Sequence, residues 1–189
     1  MPTFDSFLQR LQERDPLPPL YPSRKWEEAL SREILAVSDE ELLNASQHNG
    51  KGHSLIDACR AGLLLWNDDL EASHTISQGI EDATGSFWHA IMHRREGDPA
   101  NSHYWWRRTG AHPAFDDVYT EAMSVLENEP GDQAREFAAV LKRAGTWVPM
   151  EFVARCELAR RATMNDDWLR RIQVAEFRAL LNWCRMQIT

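Results

Sequence analysis

The four residues Glu96-Gly97-Asp98-Pro99 constrain this chain more than any other stretch. A glycine just past a helical run is the usual terminator, because it enters the left-handed region without a Cβ clash. The aspartate that follows can cap a new helix through its carboxylate. Proline suits the first helical turn, where its missing N–H goes unbonded anyway. The spacing therefore predicts two helices, Ser86–Glu96 and Pro99–Thr109, meeting at a tight corner. Gly110 and Pro113 close the second.

Helical periodicity extends along most of the chain. Thr3–Arg14 carries Phe4, Phe7, Leu8 and Leu11 on one side, and four prolines in residues 15–22 then break it. That stretch reads as an extended connector laid over the surface. Ser23 is placed to cap a helix through Ile34, and Ser38-Asp39-Glu40-Glu41 is a capping-box pattern. His48–His53 reads as a loop on its glycines, followed by a buried helix over Ser54–Trp66 and another opened by Asp68 or Asp69. Beyond the corner, Asp117–Glu127, Asp132–Ala144, Pro149–Ala162 and Asp166–Met186 read as helices, the last capped by Asn165. No alternating strand pattern stands out. The expectation is an all-α fold: a single multi-helix domain over 23–189, preceded by an N-terminal helix and proline-rich connector over 1–22.

Composition removes several classes. A chain of 189 residues that is 43% hydrophobic can bury an ordinary core. No apolar run reaches the roughly 18 residues that a membrane helix requires. The opening MPTFDSFLQRLQERD lacks the apolar centre of a signal peptide, so a cytoplasmic setting is expected. A net charge of −8 argues against nucleic-acid or anionic-membrane binding and leaves self-association as a homo-oligomer open. Cys59, Cys156 and Cys184 are far apart and odd in number, which points to buried free thiols. Phosphate-loop, nucleophile-elbow, dinucleotide-fold and EF-hand patterns are all missing.

The chemistry concentrates in Ser73–Pro113, which holds five of the seven histidines, two Arg-Arg pairs and three of the eight tryptophans. On a helical wheel, Phe87, Trp88, Ile91 and Met92 share one side, and His89, His93 and Glu96 share the other. Histidines four apart can reach one ion, Glu96 is in phase as a third ligand, and His74 one helix upstream is a candidate fourth. These residues suit a divalent metal. Without a metal, His89, His93 and Glu96 suit acid–base catalysis, or the imidazoles simply knit packed helices together. Arg95 projects among apolar residues and calls for a carboxylate from Glu71 or Asp69. On the second helix Asn101, Tyr104 and Arg108 share a stripe, with Arg107 beside them. Together they read as one wall of a pocket for a small anionic ligand, with tryptophans as its floor.

The segment SFWHAIMHRREGDPANSHYWWRRTGAHP resembles a tetratricopeptide-type helix pair: an aromatic-rich helix, a Gly-Asp turn, small Ser102, aromatics at Tyr104–Trp106 and a proline after the exit. No 34-residue repeat accompanies it, so the likeness covers one hairpin. The chain also resembles a family of bacterial and fungal proteins with no assigned activity. The shared letters stand at Trp88–Asp98, Asn101, Tyr104-Trp105, Arg107-Arg108, Gly110 and His112-Pro113, with further likeness in PMEFVARCELARR and RRIQVAEFRALLNW. That resemblance implies relatives and no chemistry. Two functional expectations follow: a small-molecule site at the hairpin, metal-dependent or acid–base, and a non-catalytic helical interaction module.

Overall fold

The computed structural model describes residues 2–43, 50–162 and 166–188. Among them are eleven helices and no strand: α1 (Phe4–Gln12), α2 (Glu28–Ala36), α3 (Asp39–Leu43), α4 (Gly50–Trp66), α5 (Leu70–Ser77), α6 (Ala83–Glu96), α7 (Pro99–Thr109), α8 (Phe115–Glu127), α9 (Asp132–Ala144), α10 (Pro149–Ala162) and α11 (Asp167–Ile188). The fold is all-α, and none of these helices is long and apolar enough to cross a membrane.

The corner forms as its residues dictate. Gly97 ends α6 in the left-handed region at φ 87°, the Asp98 carboxylate accepts from the Asn101 N–H, and Pro99 opens α7. Elsewhere tertiary contacts move the helix ends. Ser23 does not start α2; the backbone N–H groups of Trp26 and Glu27 instead donate to the Asn67 carbonyl (2.9 Å) and Asn67 Oδ1 (3.2 Å). That bonding holds the stretch extended, and the helix begins at Glu28. Gly50–His53 belongs to α4 and not to a loop. His48, Asn49 and the Asn165 cap lie outside the described residues.

Helix α6 is the centre of the packing. Every residue from Thr84 to Arg95 is buried. Helices α4, α5 and α7 pack directly on it. Gly62 of α4 allows the close approach, since a Cβ there would sit 2.5 Å from Trp88 Cζ2 and 2.7 Å from Leu181 Cδ2. Ser102, the small residue of α7, donates from Oγ to the Ala90 carbonyl at 2.8 Å, and Phe87 meets Trp106 with ring centres 4.8 Å apart. Helix α1 places Phe4, Phe7 and Leu11 in the same core. All three cysteines are buried and free.

The proline connector is not a surface strap. Pro18 and Leu20 are buried, and Gln173 Nε2 donates to the carbonyls of Pro18 (3.3 Å) and Pro19 (3.2 Å). The stretch has few backbone donors of its own, so side chains from α6 and α11 bind its carbonyls.

Burying α6 on all sides requires that its two consecutive arginines be neutralised. Arg94 makes a bidentate pair with Glu176 of α11, at 3.0 Å from Nη1 and 2.5 Å from Nη2, and lies over the Phe152 ring. Arg95 does not use Glu71 or Asp69. It bonds to Asp68, to the Leu65 carbonyl, and to the Pro19 carbonyl at 3.0 Å. Asp68 also holds Arg14 at 2.5 Å, so one carboxylate serves two cations. Its backbone turns through φ 63°, a conformation that aspartate tolerates better than most residues. Asp69 instead caps α5 and pairs with Lys25 at 3.0 Å.

His112, just past the end of α7, is a buried structural residue. Its Nδ1 accepts from the Ala114 N–H at 3.1 Å, so Nε2 carries the proton and faces Thr84 Oγ1 at 3.3 Å. The ring packs against Trp183 and Phe87 at 4.6 and 5.3 Å.

Two predictions follow from this packing. Glu176→Gln leaves Arg94 charged and unpaired, and should cost about 3–5 kcal/mol in urea denaturation. An Arg94→Met/Glu176→Leu double variant should lose less than either single change. The second concerns acid. Burial pushes the His112 pKa down to about 4, against about 6.5 in an unfolded chain. The folded state thus binds fewer protons between those values. Stability is complete above pH 6.5 and falls on acidification toward pH 4, by up to about 1.4 kcal/mol per unit. His112→Gln should be less stable at pH 7.5 yet show a shallower acid loss.

Candidate functional site

Helix α5 packs along α6, and three imidazoles meet between them. His74, His89 and His93 each offer a ring nitrogen, and these three atoms lie within 4.8 Å of one another. His89 stands edge-on to His74 with ring centres 4.6 Å apart, and is stacked with His93 at 5.2 Å. His74 meets His93 edge-on at 5.5 Å.

Neighbouring groups set the tautomers. Ser77 Oγ donates to the His74 carbonyl at 3.3 Å. With its proton so used, it accepts from His89 Nδ1 at 3.4 Å, which leaves the lone pair of His89 on Nε2. His93 Nδ1 donates to Glu96 Oε1 at 2.8 Å, which again leaves Nε2 free. The imidazole of His74 makes no hydrogen bond among the described residues; it is half-buried, whereas His89 is 2% and His93 9% exposed. The cluster is therefore dry at its base and open on the His74 side.

The indole of Trp105 lies flat on His89, with ring centres 4.0 Å apart and planes 18° apart. Burial first, and then repulsion from His74 and His93, pushes the His89 pKa down to about 4. At neutral pH His89 is an uncharged ring with a lone pair and no proton to give as an acid. That state suits a ligand better than a general acid.

The candidate residues thus fall into three sets. His74, His89 and His93 come together. Glu96 is not gathered with them: it orients His93, and forms a second, more exposed group with His93 and Asp98. The four residues expected to wall an anion pocket lie on the outside of α7. Asn101, Tyr104, Arg107 and Arg108 are exposed, Tyr104 by 46%. Asn101 is spent on Asp98, to whose Oδ2 its Nδ2 donates at 2.7 Å. Arg108 and Tyr104 reach no further than the Trp105 ring, the guanidinium carbon 5.3 Å from its centre and the phenol ring edge-on at 5.3 Å. Sequence reasoning missed Ser77 as a partner of His89 and took Trp105 for a pocket floor. Ser77 stands three residues after His74, on the same helical face, and that spacing was the available signal.

An NMR pH titration should show His89 shifting only below about pH 5, because its folded pKa lies near 4. Trp105→Ala, which admits water to the ring, should move that midpoint back up toward the ordinary value. Set beside known proteins, the chain matches no family model, no curated protein and no solved structure.

Proposed function

We propose that this protein holds a divalent metal ion of the zinc type on His74, His89 and His93, and uses it to act on a small molecule. One observation carries the reading: three imidazole nitrogens within 4.8 Å of one another, on two helices. Tetrahedral bonds of about 2.0–2.1 Å space ligand nitrogens about 3.3 Å apart. His74, whose ring makes no hydrogen bond among the described residues, is free to turn toward an ion held by the other two. Three protein ligands leave a coordination position for water or substrate, the arrangement of catalytic rather than structural zinc. A bound ion of this kind lowers the pKa of its water toward about 7 and so supplies hydroxide at neutral pH.

The chain's own residues support that role. Ser77 and Glu96 fix the tautomers of His89 and His93, so that both present Nε2. Carboxylate partners of this sort also raise the basicity of a ligating imidazole. Trp105 excludes water from one side of His89 and leaves the His74 side for entry.

Elemental analysis after exposure to one equivalent of zinc should find one ion per chain. The His89→Ala/His93→Ala variant, shown to be folded by circular dichroism, should retain none. Glu96→Gln should weaken uptake by about 10–100-fold. Failure to bind zinc, iron, manganese, cobalt, nickel or copper at micromolar concentration would falsify the metal reading.

A further inference from the structure

We infer that the substrate of this site carries an acidic group, and that Arg108 grips it while the opposite end of the molecule lies at the metal. The inference rests on the three-histidine metal reading and names the class of molecule that the site takes.

Arg108 lies against two aromatic rings. Its guanidinium carbon lies 5.3 Å from the centre of the Trp105 ring and 6.0 Å from that of Tyr104. Aromatic faces hold a guanidinium by its plane and leave its N–H edges unused. No carboxylate among the described residues pairs with Arg108. Most arginines of this acidic chain do have such a partner: Arg10, Arg14, Arg60, Arg94, Arg95, Arg135, Arg155, Arg170, Arg171, Arg178 and Arg185 all lie within 4.0 Å of an Asp or Glu oxygen. A guanidinium positioned by rings, with its donors free, is set up for a planar oxyanion.

Its separation from His89 sets an upper limit on the molecule. Trp105 lies 4.0 Å from the His89 ring and 5.3 Å from Arg108, so guanidinium and imidazole are at most about 9 Å apart. A ligand with one oxygen on the metal and a carboxylate or phosphate on Arg108 passes around the edge of the indole, a span within the reach of a four- or five-carbon diacid. An exposed arginine alone binds such a group weakly. Linking it to a metal-bound oxygen makes the second contact intramolecular, and that linkage supplies the selectivity for a two-ended ligand. Arg107 adds positive potential beside it without sharing the ring contacts.

The test uses the full chain, zinc-loaded, titrated with succinate, acetate and inorganic phosphate by calorimetry. Succinate should bind at least about tenfold more tightly than acetate, as expected when a second charge-assisted contact forms. Arg108→Gln should abolish that preference and leave zinc uptake unchanged, while Arg107→Gln should largely keep it. Phosphate binding as tightly as succinate, and lost in Arg108→Gln, assigns the acidic group as a phosphate. Equal affinity for succinate and acetate, with phosphate no tighter, or a preference that survives Arg108→Gln, overturns the inference. If no zinc is taken up, the metal reading fails by itself. Succinate binding to the metal-free protein that is lost in Arg108→Gln would then still support the anion grip, and no binding would end both.

Discussion

Two adjacent buried cations, Arg94 and Arg95, are the constraint on which the rest of the structure turns. A charge in a dry interior is tolerated only when an opposite charge and hydrogen bonds surround it. Arg94 takes Glu176 from α11, and Arg95 takes Asp68 from the turn between α4 and α5, together with carbonyls of Leu65 and Pro19. The partners come from three separate parts of the chain. Together they fix the rotation of α6 about its axis and draw the proline connector inward. Net stabilisation from such pairs is small, because desolvation offsets most of the attraction. Their effect is geometric: any other rotation of α6 leaves a buried charge unmatched.

With α6 held in that orientation, its remaining polar side faces α5 and α7. This is where His89 and His93 stand, and where α5 brings His74. Each neighbour there has a chemical consequence. Ser77 and Glu96 decide which nitrogen carries a proton, Trp105 removes water from one ring face, and the half-buried His74 keeps a way in. The same tryptophan joins the histidines to Arg108 at the surface, so the proposed metal site and the proposed anion grip share one wall.

How far the sequence could be read depended on the range of the interaction concerned. Local chemistry was legible. Gly97, Asp98 and Pro99 form the corner as their backbone preferences require, Ser38 and Glu41 make their reciprocal cap, and Asp69 caps α5. The i,i+4 spacing put His89 and His93 on one face, and His74 lies beside them in the structure. Contacts distant in sequence were not legible. Arg94 and Glu176 are 82 residues apart, and nothing in either neighbourhood announces the pairing. Asn67 delays the start of α2 from 40 residues away. The helical wheel separated an apolar side of α6 from a polar side but could not show that neighbouring helices bury both.

The sequence by itself determined that this chain is helical, where its central corner lies, and which residues there have chemistry to offer, because those properties depend on backbone preferences and on spacing within a few turns. Tertiary structure decided which of those residues meet. It turned the histidines inward and left Asn101, Tyr104, Arg107 and Arg108 outside, since the burial of two arginines and the close approach at Gly62 and Ser102 set how α6 and α7 face their neighbours.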